Sequence, residues 1–175
     1  MIKTRSYLEK IFTKVRLQQK ALSLIRPSKT DKSQTITWDH YRKLFVNKDN
    51  IDKGKRFIST HIVSLKKAQK NYGVPPEVIA AIIGIETKYG KNQGKFPVFD
   101  TLATLAFESS GREDFFREEL EAFILLCLDQ GLQIKKIKGS YAGALGIPQF
   151  MPSSWRTFAI DFDQNGKTNL GDQIQ

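Results

Sequence analysis

The spacing of apolar residues constrains this chain more than any other feature. They recur at every third or fourth position, and no stretch of useful length alternates apolar with polar. A period near 3.6 marks amphipathic helices, and a period of two marks strands. The fold class read from this pattern is all-α, with no internal repeat. Leu8, Ile11, Phe12, Val15, Leu22 and Ile25 make one stripe over residues 4–25, and Pro27 ends that helix. A polar connector occupies 28–35, and residues 38–46 fit either a short helix or an extended segment. A helix is expected over 50–72, closed by Gly73. "VPPE" opens the next, which runs to Tyr89 and stops at Gly90. Further helices are expected over 100–109 and from a capping box, Ser110 with Glu113, to Gly131.

A chain of 175 residues supports one domain, or one domain with a helical arm. Residues 1–35 read as an N-terminal basic amphipathic helix and linker, and 36–175 as the folded domain. The longest apolar runs, "VIAAIIGI" and "AFILLCL", fall far short of the roughly 20 residues a membrane-spanning helix needs. No signal-peptide apolar region lies behind the first basic residues, so the chain as it stands reads as soluble. The net charge of +10 favours polyanionic partners, but much of the excess lies in residues 1–70, away from the motifs below. Cys127 is the only cysteine and sits among leucines, so no intrachain disulfide is possible and an inert core thiol is expected. Two histidines, His40 and His61, are too few for a histidine metal site.

One acidic residue sits against the pattern. In "IIGIETKYG", Glu86 comes four residues after Ile82 and seven after Ile79. A helical rotation of ~100° per residue puts it in the sector of Val78, Ile79, Ile82, Ile83, Ile85 and Tyr89, with Ala80 and Gly84 pointing elsewhere. The carboxyl is then expected to face the interior or a cleft walled by apolar groups. A carboxyl stripped of water holds its proton, which suits a general acid. The alternative is a structural glutamate bonded to a loop or paired with a base.

Three stretches carry a resemblance. "IETKYG", "GSYAGALG" and "QFMPSS", in this order and spacing, resemble the lytic murein transglycosylases of the membrane-bound lytic transglycosylase B type, over about residues 36–175. The resemblance implies a lysozyme-like helical catalytic domain, truncated here because family domains continue further. It implies cleavage of the β-1,4 bond from N-acetylmuramic acid to N-acetylglucosamine, leaving 1,6-anhydromuramic acid ends. Glu86 matches the single catalytic glutamate, acting first as acid and then as base. Tyr41, Arg112, Ser140 and Gln149 match substrate-binding positions, and small residues at Gly139, Ala142, Gly143, Ala144 and Gly146 would admit the sugar closely. The partner implied is peptidoglycan, in the bacterial periplasm or cell envelope, although no lipidation cysteine lies near this start. No nucleic-acid signature is present, so nucleic acid is not an expected partner. Two other readings stand beside the enzyme: an inactive peptidoglycan-binding fragment and a lysozyme-type hydrolase.

The acidic stretch "DFDQNGKTNLGD" has its own chemistry. Asp161, Asp163 and Asn165 stand at positions one, three and five of an EF-hand-like loop, and Gly166 provides the turn at six. Lys167 would offer its carbonyl at seven, Asn169 stands at nine and Asp172 at twelve. A structural calcium is one reading and a metal-free acidic turn the other. No cofactor is expected for catalysis.

Overall fold

The structure, a computed structural model, describes residues 2–26, 37–108 and 110–169. The 28–35 connector, Pro27 and Asp172 lie outside the described residues. The described residues are mostly helical with one small sheet, and they fall into two compact units.

The first unit comprises residues 1–27, 94–146 and 150–175. Its described elements are α1 (Ile2–Phe12), α2 (Gln19–Ile25), β1 (Phe96–Pro97), α7 (Val98–Phe107), α8 (Glu113–Gln130), β2 (Lys138–Gly139) and α9 (Pro152–Phe158). Helices α7 and α8 pack together and enclose Phe99, Leu102, Leu105, Phe116, Leu120 and Phe123, joined by Trp155 of α9. The basic N-terminal segment contributes Ile11 and Leu22 to this same core. It is two helices rather than the continuous one expected: the backbone leaves the helix after Phe12, and the Gln18 N–H donates to Thr104 Oγ1 at 3.0 Å. That bond satisfies a helix-start donor from across the unit. Burial pushes the Cys127 thiol up to about 12, in keeping with an inert core thiol.

Strands β1 and β2 pair antiparallel, Phe96 with Gly139 and Pro97 with Lys138. Two residues per strand give no alternation to read, which is why an all-α pattern hid them. The capping box takes a different form from the one expected. Arg112 is the N-cap residue and makes no side-chain cap; Ser110 Oγ accepts from Arg112 N–H, and Glu113 accepts from Gly111 N–H at 3.0 Å.

The second unit comprises residues 28–93 and 147–149. It holds α3 (Trp38–Phe45), α4 (Lys48–Thr60), α5 (Ile62–Tyr72) and α6 (Pro76–Thr87). Residues 38–45 are a helix because Thr37 caps it, accepting from His40 N–H. The expected 50–72 helix divides at His61, whose φ of −108° and ψ of 20° leave the helical basin with no Gly or Pro to announce it. Helix α5 ends at left-handed Gly73, as the sequence implies.

The face of α6 that is buried differs from the one expected. Pro76, Ala80 and Thr87 are buried, whereas Val78, Ile82 and Ile85 are about half exposed, at 46%, 52% and 51%. Small residues allow helices to approach closely. Buried Gly54 of α4 and Gly84 of α6 both back onto Tyr89, whose ring fills the space their missing side chains leave.

Candidate active site

Helix α6 ends one residue after Glu86, and the backbone beyond it is unusual. Lys88, Tyr89 and Gly90 all have positive φ, at 51°, 62° and 82°. Left-handed residues other than glycine cost free energy and persist only where surrounding bonds hold them. Here Thr87 does much of the holding. Its Oγ1 accepts from Gly90 N–H at 2.9 Å and donates to Ile147 O at 2.9 Å, and its carbonyl accepts from Asn92 N–H. The Tyr89 hydroxyl donates to Asn50 O at 3.2 Å.

Glu86 itself is exposed. Of the two placements expected, the interior one is therefore corrected, for the reason already seen in α6: Val78, Ile82 and Ile85 are turned outward and Pro76, Ala80 and Thr87 inward. Glu86 shares that outer side with Ile82 and Ile85, an apolar strip open to whatever binds there. Beside it, Phe45, Val46, Ile51, Ile58, Ala81 and Ile85 line a groove of about 360 Å³ in the same unit.

Gln149 belongs to this unit as well. It too has left-handed backbone, with φ of 52°, and its Nε2 donates to Gln93 O at 3.3 Å. Tyr41 is no core tyrosine. It is 47% exposed on α3, which buries none of its residues, and its ring stacks on Trp38 and lies tilted against Phe45.

The remaining predicted positions lie in the first unit. Ser140 organises the "GSYAGALG" turn: Oγ accepts from Ala142 N–H and Ala144 N–H at 3.2 and 3.0 Å. With both lone pairs engaged, the hydroxyl proton points away from those amides and is presented as a donor. Two glycines of this motif are required by packing within the unit. A side chain at Gly139 would collide with Ala144 O and Val98, and one at Gly143 with Leu102. Arg112 lays its guanidinium over the Phe115 ring, 4.2 Å from the centroid.

The acidic loop is folded on its own carboxylates. Asp161 accepts from Asn165 N–H at 3.0 Å and Gly166 N–H at 2.7 Å, and Asn165 Oδ1 accepts from Lys167 N–H at 2.9 Å. Desolvation would raise the Asp161 carboxyl, but the amides of Gly166 and Asn165 outweigh it and hold it below the usual value. Gly166 makes the expected turn, with φ of 85°, and Thr168 accepts from Trp155 Nε1–H, tying the loop to the core. Asp161, Asp163 and Asn165 supply the hard oxygen donors that suit calcium. Among the described residues no cluster of three or more His, Cys, Asp or Glu gathers as a metal centre.

Sequence reasoning missed Thr87 and Glu119. Glu119 is 4% exposed and accepts from both the backbone N–H and the hydroxyl of Ser153. A signal for it exists: it interrupts the apolar stripe of α8 between Phe116 and Phe123.

The family emerges from comparison with known proteins. The transglycosylase SLT domain matches residues 3–175, and the chain belongs to that family. It is similar to membrane-bound lytic murein transglycosylase B of Escherichia coli K12, with 44% identity over 137 residues, covering 78% of this chain and 38% of that protein. Several solved structures share its fold. The Escherichia coli lytic transglycosylase Slt35 in complex with calcium has a TM-score of 0.87 and 38% identity, covering 97% of this chain and 53% of that one. SltB3 from Pseudomonas aeruginosa in complex with NAG-NAM-pentapeptide has a TM-score of 0.82 and 27% identity, covering 93% and 42%. The chain thus spans about half the length of these relatives or less. No helix among the described residues is long and apolar enough to cross a membrane.

Proposed function

We propose that this chain is a peptidoglycan lytic transglycosylase that cleaves the bond from N-acetylmuramic acid to N-acetylglucosamine and leaves 1,6-anhydromuramic acid ends. The observation that carries this reading is the end of α6. An exposed carboxyl, Glu86, precedes three left-handed residues and lies in one unit with left-handed Gln149. Such backbone is costly and collects at functional sites. The relative that binds a NAG-NAM-pentapeptide supplies the substrate class.

The chemistry needs one carboxyl. Protonated Glu86 donates to the glycosidic oxygen as the C1–O bond breaks, and positive charge develops at C1. The muramic C6 hydroxyl then attacks C1, and ionised Glu86 takes its proton. The C1–O6 bond formed replaces the bond lost, and no water is consumed. Most glycosidases use two carboxylates because they must activate water or form a covalent intermediate. Glycan laid along the strip of Ile82 and Ile85 would exclude water from Glu86, supplying on binding the apolar surroundings that the free face lacks.

The other residues bind. Ser140 presents its proton to an acceptor such as an N-acetyl carbonyl. Gln149 offers an amide held by Gln93, Tyr41 a face for sugar stacking, and Arg112 a cation for carboxylates of the stem peptide. Asp161, Asp163, Asn165, Lys167, Asn169 and Asp172 would hold a structural calcium, as the calcium-bound relative suggests. The bacterial cell envelope is where this substrate lies. Incubation with purified sacculi and mass spectrometry of the products test the reading. Anhydromuropeptides support it, reducing ends indicate a hydrolase, and retention on sacculi without products indicates a binding module.

A further inference from the structure

Hydrogen bonds around Thr87 form a closed ring. Ile147 O accepts from Thr87 Oγ1, which accepts from Gly90 N–H. Gly90 O accepts from Gln93 Nε2 at 3.1 Å, and Gln93 O accepts from Gln149 Nε2 at 3.3 Å. Pro148 closes the ring covalently between Ile147 and Gln149. Every member except Pro148 is named in these bonds, and all belong to the second unit. The ring begins at the residue bonded to Glu86 and ends on the side chain of Gln149.

We infer that Thr87 is a positioning residue for the reaction proposed above, on which this inference rests: its hydroxyl fixes the Glu86 carboxyl relative to Gln149. Three observations carry it. Thr87 is 1% exposed, so its hydroxyl serves the protein and not solvent. Its side chain bonds both the left-handed turn and the 147–149 segment. The turn it closes contains two non-glycine residues with positive φ, Lys88 and Tyr89, which would relax to ordinary backbone without such a bond. Thr87 Oγ1 also lies 3.3 Å from Ile83 O, the ordinary partner of a threonine within a helix. The shorter bond to Ile147 O takes the single proton.

The test separates hydroxyl from volume. Thr87→Val keeps the shape and removes the bonds, and Thr87→Ser keeps the bonds and removes a methyl. Steady-state release of anhydromuropeptides from purified glycan strands is measured for both, with circular dichroism to verify folding. A misplacement of about 1 Å in a reacting group costs roughly 100-fold in rate. The expected result is a fall in kcat of roughly 10- to 100-fold for Thr87→Val with KM within about twofold, and Thr87→Ser within about threefold of wild type. If Thr87→Val does not fold, Thr87→Ala is compared with Thr87→Ser, from which it differs by one oxygen. A threonine that serves by its volume alone gives the opposite order, with the smaller Thr87→Ser the worse of the first two, and that order overturns the inference; a hydroxyl that serves stability alone lowers the folded fraction and leaves the kcat of the folded protein within about twofold, which overturns it too. So does a Thr87→Val kcat within about twofold of wild type, since a loss that small falls well short of what misplacement costs. Glu86→Gln run alongside tells the two failures apart. If it cleaves as wild type does, the proposed function fails and this inference with it; if it is inactive while Thr87→Val is not, the inference alone fails.

Discussion

Glu119 Oε1 lies 2.6 Å from Ser153 Oγ, and its Oε2 lies 2.9 Å from the Ser153 backbone N. A carboxylate from the middle of α8 thus caps the first turn of α9, where N–H groups lack partners within the helix. The arrangement gives the first serine of "QFMPSS" its role. Phe150 pairs with Leu145, Pro152 sits in the first helical turn, and Ser153 is gripped from α8.

Replacing Glu119 by alanine leaves the Ser153 N–H and hydroxyl without their acceptor. Loss of hydrogen bonds to a buried charged group costs about 3 kcal/mol. Urea unfolding of Glu119→Ala is expected to show this loss with an unchanged m-value, and Ser153→Ala a smaller one because its backbone bond survives. A Glu119→Ala loss under about 0.5 kcal/mol would mean that the cap contributes nothing beyond an ordinary surface contact.

Helix positions were legible in the sequence, and helix faces less so. Stops at Gly73 and Gly131 and the start at "VPPE" could be read because left-handed glycine and first-turn proline are local requirements. The two-residue strands could not, since each depends on a partner distant in the chain. The sharpest contrast lies in two glutamates. Both interrupt apolar stripes, yet Glu119 is buried and Glu86 is exposed. Periodicity gives the angle of a residue on its helix and not which side the core lies. For α6 the deciding factor is close approach at Gly54, Gly84 and Tyr89, which favours the small-residue face.

The acidic loop predicts a calcium response. Calcium at a hundredfold excess over its dissociation constant adds about 2.7 kcal/mol of stability, a rise of roughly 5–10 °C in Tm for a chain of this size. Scanning fluorimetry with calcium and with a chelator measures it, and Asp161→Asn is expected to abolish the difference. Equal Tm values with calcium and chelator in the wild type would leave the loop a metal-free turn.

Acid acts on the same residue. The Asp161 carboxyl is held below its usual value, so its contribution is present above the unfolded carboxylate pKa. It is lost as pH falls through the lower folded value. In chelator, wild type is therefore expected to lose stability more steeply on acidification than Asp161→Asn. Parallel curves of urea midpoint against pH would contradict this.

Cys127 offers a check on the core. The residue is 3% exposed, and burial pushes its thiol up to about 12. The reactive form of cysteine is the thiolate. Iodoacetamide at mildly alkaline pH is expected to leave Cys127 unmodified in the folded chain and to alkylate it in urea. Rapid native labelling would show that α8 does not pack as described.

The central claim is that one carboxyl performs both proton transfers, and Glu86→Gln tests it most directly. The substitution preserves shape and removes the titratable proton. Product analysis on sacculi is expected to show anhydromuropeptides from wild type and a loss of at least about 1000-fold in the variant, the upper range for removing a general acid–base group, with glycan binding retained. Release of anhydromuropeptides by Glu86→Gln at the wild-type rate would contradict the account.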